Sequence, residues 1–521
     1  MIPKLSYFHI ARFVLEAKTA VSINSGISDG AFDTLIVKDA NNLPAIPGTS
    51  LAGVLRHNLR SALAETDQAE ASVKRIFGYV EQNSDKTAIS RLHVSWGCIH
   101  DSTNTPVEGL VLDQRRIKND PLLKFLSQEH AMHRERVKIS EKGVAEDGAK
   151  FDITIIPAGC RFSFEISYWS DTDEEKKQDS DWKQILSLIQ QPLYIGASTR
   201  SGLGLFECNE LHSGSFNLGD NSQQDSYQAD YQRYQKLGFA LNDYTQLAKS
   251  ESPKQEELEE QRIVAKISLR AEDFWRFGQA GEPLKASGKS PDATPLLEPV
   301  IDWERNPANF SPRHIVIPGS SVKGALNHRV KYHLNRLIEN YRDADNYKKL
   351  SESENLLFGS ERQDKNGEES GQAGLIFISD LYIKYDPREH KVVHLTHNSL
   401  DRYTGGVRDK ALYMEELLWR MDKPFTLRLV IDKARFKLIE QSSEQKSTGH
   451  KIPLHKYKQA LKLTLDDLVQ GRLALGAGSS KGHGYFEGDI SWSKAGKKWL
   501  KDGLVQTGQT AGQTKQTEGV K

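Results

Sequence analysis

The chain has 521 residues, 37% hydrophobic and 27% charged, and its 70 Lys and Arg residues balance its 70 Asp and Glu residues. This balance excludes a global positive field that would attract a polyanion, so any nucleic-acid contact must depend on local basic patches. The three cysteines form neither a CxxC pair nor an even disulfide set, which argues against a zinc site and fits a reducing compartment. Without a signal-peptide pattern or a run of 18 apolar residues, we expect a cytoplasmic protein that makes no membrane contact.

Two motifs occur twice in the same order. The segment "AIPGTSLAGVLRH" at Ala45–His57 returns as "VIPGSSVKGALNH" at Val316–His328. The segment "GASTRSGLGLFE" at Gly196–Glu207 returns as "GAGSSKGHGYFE" at Gly476–Glu487. Because the copies lie 271 and 280 residues apart, the repeating unit is a whole domain and the chain is a tandem duplication.

The order of predicted elements is the same in both copies. Each begins with an alternating strand and continues with the Ile-Pro-Gly turn, a helix, further strands and the glycine-rich loop, which indicates an α+β fold. Polar composition separates the copies and follows the second one. We therefore expect a first domain over residues 1–212, a polar linker over 213–262, a second domain over 263–493 and a disordered tail over 494–521.

The helix after each Ile-Pro-Gly turn is predicted from the spacing of its apolar residues, such as Leu51, Leu55 and Leu59. The hydroxyls of Thr49-Ser50 and Ser320-Ser321 are predicted to cap these helices. A glycine turn that leads into a helix N-terminus can bind an anion, whereas the alternative is a capped core helix without a ligand. The candidate RNA-binding residues here are Ser50, Arg56, Arg60, Ser321 and Lys323.

Basic residues recur in the region between the helix and the glycine-rich loop. Arg134 and Arg136 in the first copy, and Arg402 and Arg408 in the second, are spaced to follow a strand and its turn, which suits an RNA backbone. The alternative is that these arginines are solvent-exposed charges that bind no RNA. The nearby histidines, His130, His133 and His397, are candidates for acid–base chemistry, but they show no consistent partner pattern in the two copies.

The glycine-rich segments allow the backbone to approach a phosphate closely, with Arg200 or Lys481 adding positive charge. Neither segment is a P-loop, because no Gly-Lys-Ser or Gly-Lys-Thr follows. Neither fits the dinucleotide pattern, because a strand rather than a helix comes next. A tight connection between two strands is the alternative.

Taken together, the two Ile-Pro-Gly helices, the Phe-Gly turns at Phe77 and Phe358, "HNSLDRYTGGVRDKALYMEE" at His397–Glu416 and the glycine loops resemble the RAMP superfamily. Specifically, they resemble the backbone subunits of type III CRISPR effector complexes, and two such units in one chain resemble the fused double-backbone form of type III-D systems. The resemblance implies two tandem ferredoxin-like, RRM-type domains with inserted thumb hairpins. It also implies CRISPR guide RNA, target RNA and other subunits of the complex as partners in antiviral defence.

The resemblance further implies a catalytic role for Asp33. In single-domain backbone subunits, an aspartate on the loop before the Ile-Pro-Gly turn cuts guide-paired target RNA with a divalent metal, and Asp33 occupies that place. A carboxylate there could hold Mg²⁺ (or Mn²⁺) or orient the ribose 2′-OH, while capping of the loop is the alternative.

The second copy departs from this pattern. When "EPVID" of the second copy is aligned with "LIVKD" of the first, Leu296 falls opposite Asp33. Three acidic residues that are not aligned with Asp33 could replace it in space, namely Asp292, Glu298 and Asp302. We therefore expect one metal-dependent endoribonuclease site, in the first domain, and a second domain that mainly binds RNA. Three alternatives stay open, namely a purely structural RNA-binding subunit, a histidine-centred nuclease that processes precursor guide RNA, and an RNA chaperone.

Overall fold

The computed structural model describes the chain except for residues 1–4, 29, 31, 64–68, 82–86, 130–131, 141–143, 174–179, 220–223, 252–258, 261, 280, 286–289, 341–355, 361–363, 366–367, 370–371, 434, 437–451 and 502–521. The chain divides into two compact units. Unit 1 comprises Met1–Thr199, Leu203–Lys254 and Pro299–Ser311, and unit 2 comprises Arg200–Gly202, Gln255–Glu298 and Pro312–Lys521.

The first half of the chain contains six helices and twelve strands among its described residues. The helices are α1 Gly48–Ala62, α2 Ala69–Phe77, α3 Arg115–Asn119, α4 Pro121–Leu126, α5 Asp181–Ile189 and α6 Gln224–Gln235. The strands are β1 Tyr7–Ala17, β2 Ala45–Ile46, β3 Tyr79–Val80, β4 Thr87–Ala88, β5 Leu92–Val94, β6 Gly97–Ile99, β7 His133–Ile139, β8 Ala145–Thr154, β9 Arg161–Ser170, β10 Leu193–Tyr194, β11 Leu205–Asn217 and β12 Ala248–Lys249.

The main sheet of unit 1 is antiparallel and has the spatial order β11-β1-β9-β6 at its centre. Ala11 of β1 pairs with Ile166 of β9 on one side and with Ser213 of β11 on the other. Helix α1 lies in sequence between β1 and β6, and α5 lies between β9 and β11. This β-α-β-β-α-β order is ferredoxin-like. Leu51, Leu55 and Leu59 of α1 are buried in the core, as their spacing predicts.

The described second half contains two long helices, α7 Gly319–Leu337 and α8 Leu454–Val469. Its strands are β13 Ile263–Ala271, β14 Phe274–Trp275, β15 Gly278–Gln279, β16 Thr294–Pro295, β17 Leu297–Asp302, β18 Asn309–Ile317, β19 Gly359–Ser360, β20 Asp364–Lys365, β21 Glu368–Glu369, β22 Gln372–Ala373, β23 Ile376–Ile378, β24 Leu381–Lys384, β25 Lys391–His397, β26 Tyr413–Trp419, β27 Phe425–Ile431 and β28 Phe486–Trp492.

The central sheet of unit 2 has the order β23-β27-β13-β28, which matches β6-β9-β1-β11 of unit 1 strand for strand. Helices α7 and α8 occupy the chain positions of α1 and α5. A two-stranded hairpin is inserted before the third core strand of each copy, β7–β8 in the first and β25–β26 in the second. The predicted pair of α+β, ferredoxin-like domains with inserted hairpins is therefore confirmed.

The region expected to be a polar linker, residues 213–262, contains ordered elements. Strand β11 continues to Asn217, and α6 and β12 follow within unit 1. Phe216 and Leu247 pack with Ile10 of β1. Arg12, only 2% exposed, donates to the carbonyls of Gly238 and Asp243. A few buried contacts therefore hold a segment whose composition is mostly polar.

The expected tail, residues 494–521, also begins with ordered structure. Residues 494–501 are helical, and the Trp499 ring lies 5.5 Å from the ring of Phe436. Trp499 is 7% exposed, so this helix packs on the core of unit 2. Residues 502–521 lie outside the described part of the chain.

Candidate nucleic-acid interface

Asp33 lies on the loop that precedes α1, and its side chain is exposed. Its amide donates to Asp152 Oδ1 at 2.9 Å, and the amide of Asp152 donates back to Asp33 Oδ2 at 3.1 Å. Two residues further along β8, Thr154 Oγ1 donates to the carbonyl of Thr34 at 2.5 Å. These bonds fix the loop to the base of the β7–β8 hairpin, while Asp33 Oδ1 accepts no hydrogen bond among the described residues.

In the second copy, Asp292 makes a similar contact, although its amide donates to a backbone carbonyl rather than to a carboxylate. The amide of Asp292 donates to the Met414 carbonyl, and the amide of Met414 donates to Asp292 Oδ2, both at 2.8 Å. Met414 belongs to β26, the counterpart of β8, and Asp292 is exposed. The Leu296 amide donates to the Phe277 carbonyl as the Val37 amide donates to that of Ile23, so Leu296 corresponds to Val37 and its sequence-based pairing with Asp33 does not hold. It failed because the extra residues of the second copy lie after the aspartate.

The other two acidic substitutes have different surroundings. Glu298 is 4% exposed and accepts a hydrogen bond from Tyr382 Oη at 3.1 Å. Asp302 forms an ion pair of 3.3 Å with Arg305. Neither repeats the contact of Asp33 with the inserted hairpin, so Asp292 is the structural counterpart.

The caps of α1 and α7 differ from the sequence-based expectation. Both helices begin at the glycine after the turn, with Pro47 and Pro318 as N-caps and without a side-chain capping bond. Thr49-Ser50 and Ser320-Ser321 lie inside the first turn, because proline already sets the backbone for helix entry. In unit 2, Asp380 Oδ1 accepts the amide of Gly319 at 2.7 Å. The chain's own carboxylate therefore occupies the start of α7.

The basic residues of the two helices have different partners. Arg60 of α1 forms a two-pronged ion pair with Glu70 at 3.1 Å, and both side chains are about half exposed. Arg56 is half-buried, and its Nε has no hydrogen-bond partner among the described residues. Ser321 is exposed, whereas Ser50 and Lys323 are half-buried. Their role in RNA binding stays a prediction.

The predicted arginines of the two hairpins lie in different environments. Arg134 of β7 is 3% exposed and Arg136 is half-buried, on the less exposed face of the strand. Arg402 and Arg408 lie on the exposed connection between β25 and β26, and their guanidinium groups have no partner among the described residues. Tyr403, 99% exposed, lies between them in sequence.

An exposed aromatic ring beside unpaired arginines is the arrangement that single-stranded RNA uses for stacking and backbone contact. The connection at residues 398–412 is therefore an exposed candidate RNA contact of unit 2. The sequence contained this signal in "DRYTGGVR", but Tyr403 was not singled out.

The glycine loops are tight connections between strands. In unit 1, the amides of Ala197 and Gly204 donate to the carbonyls of Ser22 and Ala20 at 2.7 and 2.8 Å. In unit 2, Ala477 and Gly484 donate in the same way to the carbonyls after β13. Gly204 has φ +74, and a Cβ there would collide with a backbone carbonyl, so the glycine is needed for close packing. These amides are thus used within the protein.

The two basic residues of the glycine loops are also engaged. Within unit 2, Arg200 Nε donates to the Gly374 carbonyl at 2.6 Å, and its guanidinium lies 4.6 Å from the Phe377 ring centre. Burial lowers the pKa of Arg200. Lys481 Nζ lies 2.5 Å from Glu415 Oε1, and Glu415 is 1% exposed.

The Glu415 carboxylate also accepts a bond from Arg276 Nη2 at 3.0 Å. Burial opposes ionisation of Glu415, but Lys481 and Arg276 outweigh it and lower its pKa. The ammonium group of Lys481 is therefore paired with a buried carboxylate that lies 66 residues away in sequence.

The two described candidate histidines have different surroundings. His133 is exposed, with its ring 5.0 Å from that of Phe32. His397 Nε2 lies 2.7 Å from Glu415 Oε1 without hydrogen-bond geometry. His130 lies outside the described residues.

Within the described part of the chain, no group of three or more His, Cys, Asp or Glu side chains is placed to hold a metal ion. Magnesium sites often use one or two protein carboxylates, with phosphate oxygens and waters completing the shell. Asp33, with an uncommitted oxygen and Asp152 beside it, fits such a site only if RNA supplies further ligands. None of the described helices is long and apolar enough to cross a membrane.

Comparison with protein-family models gives one match in each half of the chain. The model of the RAMP superfamily matches residues 14–207 and 302–487, well over half of the sequence. The matched ranges contain the two Ile-Pro-Gly turns, the two inserted hairpins and both glycine loops. Comparison with curated proteins gave no match.

Proposed function

Because the chain belongs to the RAMP superfamily and carries its domain twice, we propose that it is a guide-RNA-binding backbone subunit of a type III CRISPR effector complex. We further propose that it cuts guide-paired target RNA at Asp33, as an endoribonuclease that depends on Mg²⁺ or Mn²⁺. The exposed Asp33 carboxylate, fixed by Asp152 with one oxygen uncommitted, is the observation that carries the proposal. The fused double-backbone form of type III-D systems is the proposed subtype.

Base pairing with the guide would select the target, while the protein binds backbone and shape. Arg402, Tyr403 and Arg408 supply the exposed cationic and aromatic groups for this contact. The zero net charge of the chain supports a subunit that holds RNA together with neighbouring subunits, because a free high-affinity RNA binder is usually basic.

The chemistry proposed for Asp33 is attack of a ribose 2′-oxygen on the adjacent phosphate, which breaks the bond to the 5′-oxygen of the next nucleotide. The products are a 2′,3′-cyclic phosphate and a 5′-hydroxyl, so the proton lost by the 2′-OH is balanced by the one that the leaving 5′-oxygen gains. A divalent ion bound there would stabilise the charge that develops on the phosphate. Asp33 would hold the ion or orient the 2′-OH, and its bonds with Asp152 keep the carboxylate in place before RNA arrives.

Asp292 is the proposed second cleavage residue. Its Oδ2 accepts a backbone amide of the inserted hairpin, as Asp33 Oδ2 does, and it is exposed. This extends the sequence-based expectation of a single site in the first domain to one site in each domain.

The test uses the assembled, guide-loaded complex with labelled target RNA and Mg²⁺. We expect Asp33→Ala to abolish one cut and Asp292→Ala to abolish a different one. Asp113→Ala removes a carboxylate that is 70% exposed in the first domain and serves as the matched control, with all cuts retained.

If the Asp33→Ala complex keeps every cut, the catalytic assignment is wrong. If the wild-type complex binds target but makes no cut with either metal, the purely structural alternative is correct. Metal-free cleavage of repeat RNA by the isolated chain would instead support the histidine-centred alternative.

A further inference from the structure

A half-open cavity of about 780 Å³ lies in unit 2, and neither Asp33 nor Asp292 lines it. It is bounded by the base of the β25–β26 hairpin, by residues 385–392 and by Leu284 and Lys285. The volume falls in the range of small-molecule sites, which is roughly 300–1,000 Å³.

The walls of this cavity are partly aromatic and apolar. Trp419 and Tyr385 line it, together with the aliphatic side chains of Leu284, Val392 and Met421. His390 also lines it, is 6% exposed, and has no partner for its Nε2 among the described residues. Because its Nδ1 bonds to the backbone of Asp386, its Nε2 is the ring nitrogen available to a ligand in the cavity.

The rim of the cavity is positively charged. Four basic side chains oppose two acidic ones, namely Lys285, Arg388, Lys391 and Arg420 against Glu389 and Asp422. Arg388 is held by Asp386, and Arg420 Nε donates to the Glu272 carbonyl at 3.0 Å. The ammonium groups of Lys285 and Lys391 have no partner among the described residues, so both can bind an anion.

Buried bonds fix the cavity in place. Glu416 is fully buried and accepts the amides of Leu284 at 2.7 Å and Lys285 at 3.0 Å, as well as His394 Nε2 at 2.9 Å. Arg420 has φ +49, a strained conformation that a surface residue adopts when its surroundings impose it. The cavity is thus preorganised without a ligand.

We propose that this cavity binds a single nucleotide. The base packs against Tyr385 and Trp419 and meets His390 Nε2 with its polar edge, while the phosphate lies between Lys285 and Lys391. The nucleotide comes either from solution or from a bound RNA strand, and both sources share this chemistry. The proposal is independent of cleavage at Asp33 and needs neither guide nor metal.

Calorimetry of the full-length chain with the four nucleoside 5′-monophosphates, the matching nucleosides and inorganic phosphate tests the proposal. We expect at least one monophosphate to bind, and its nucleoside to bind at least tenfold more weakly. The double variant Lys285→Ala/Lys391→Ala should weaken monophosphate binding at least tenfold, and His390→Gln should weaken it separately. Lys462→Ala, which breaks an exposed ion pair on α8, should leave binding unchanged.

A short single-stranded RNA in the same experiment distinguishes the two sources. An RNA-borne nucleotide is identified if the RNA binds more tightly than any monophosphate, if the double variant loses this binding and if the monophosphate displaces the RNA. A free nucleotide is identified if a monophosphate binds more tightly than the RNA. The proposal is overturned if inorganic phosphate binds as tightly as the monophosphates. It is also overturned if neither nucleotide nor RNA binds, or if the double variant binds them as tightly as the wild type. Thermal unfolding of each variant shows whether a loss of binding reflects unfolding.

Discussion

The buried carboxylate of Glu415 offers a sharp test of how unit 2 is held together. Glu415→Gln keeps the size of the side chain and removes its charge. Arg276 would then lose its counter-ion while its side chain stays 10% exposed. Breaking a buried ion pair by removing one partner costs about 3–5 kcal/mol. Lys481, 32% exposed, can return to water and adds little to this cost.

We therefore expect Glu415→Gln to lower the unfolding free energy of unit 2 by about 3 kcal/mol, which corresponds to about a hundredfold change in the opening equilibrium. Hydrogen exchange of the β26 amides, followed by mass spectrometry, measures this opening within unit 2. Glu389→Gln is the matched control, because the Glu389–Lys423 pair is 50% and 78% exposed. We expect no measurable change in that variant.

The effect should also depend on pH. Because the folded-state pKa of Glu415 lies below its usual value of 4.5, its ionised form stabilises the fold above that value. This contribution is lost as the pH falls through the lowered pKa, so the difference between wild type and Glu415→Gln should narrow in acid. Equal exchange rates for Glu415→Gln and Glu389→Gln at neutral pH would refute the reasoning from burial.

Two further predictions concern titratable groups of unit 1 whose pKa values are shifted by burial or partial burial. Burial lowers the pKa of His100 to about 4, so the stability that neutral His100 provides above pH 6.5 should decline as the pH falls toward 4, and His100→Gln should flatten this decline in urea unfolding. An unchanged pH profile in the variant would contradict this. Burial also raises the pKa of Cys98 to about 11 and of Cys208 to about 12, and that of Cys160 still further. Iodoacetamide at pH 8 should therefore label none of the three thiols in the folded protein and all three after denaturation. Labelling of any of them in the folded protein, detected by mass spectrometry, would contradict this prediction.

Much of the fold could be predicted from repetition in the sequence. The two Ile-Pro-Gly turns and the two glycine loops mark equivalent points of two ferredoxin-like sheets, and the apolar spacing of Leu51, Leu55 and Leu59 identifies the buried face of α1. These signals are local, so they survive without knowledge of the tertiary structure.

Contacts between distant residues could not be predicted in this way. Residues 213–262 have the polar composition of a linker, yet Arg12 and a few apolar side chains hold this segment against β1. Lys481 looked available to a phosphate because its partner Glu415 belongs to a distant strand. Asp292 was missed as the match to Asp33 because an insertion between the aspartate and the helix shifted the alignment.

The consecutive glutamates of β26 have a mechanical consequence. Neighbouring residues on a strand point to opposite faces, so Glu415 clamps Lys481 of the glycine loop on one side while Glu416 clamps Leu284 and Lys285 on the other. Any swing of the β25–β26 hairpin must break charged bonds on both faces at once. We therefore expect the β25–β26 hairpin to move little relative to the core of unit 2.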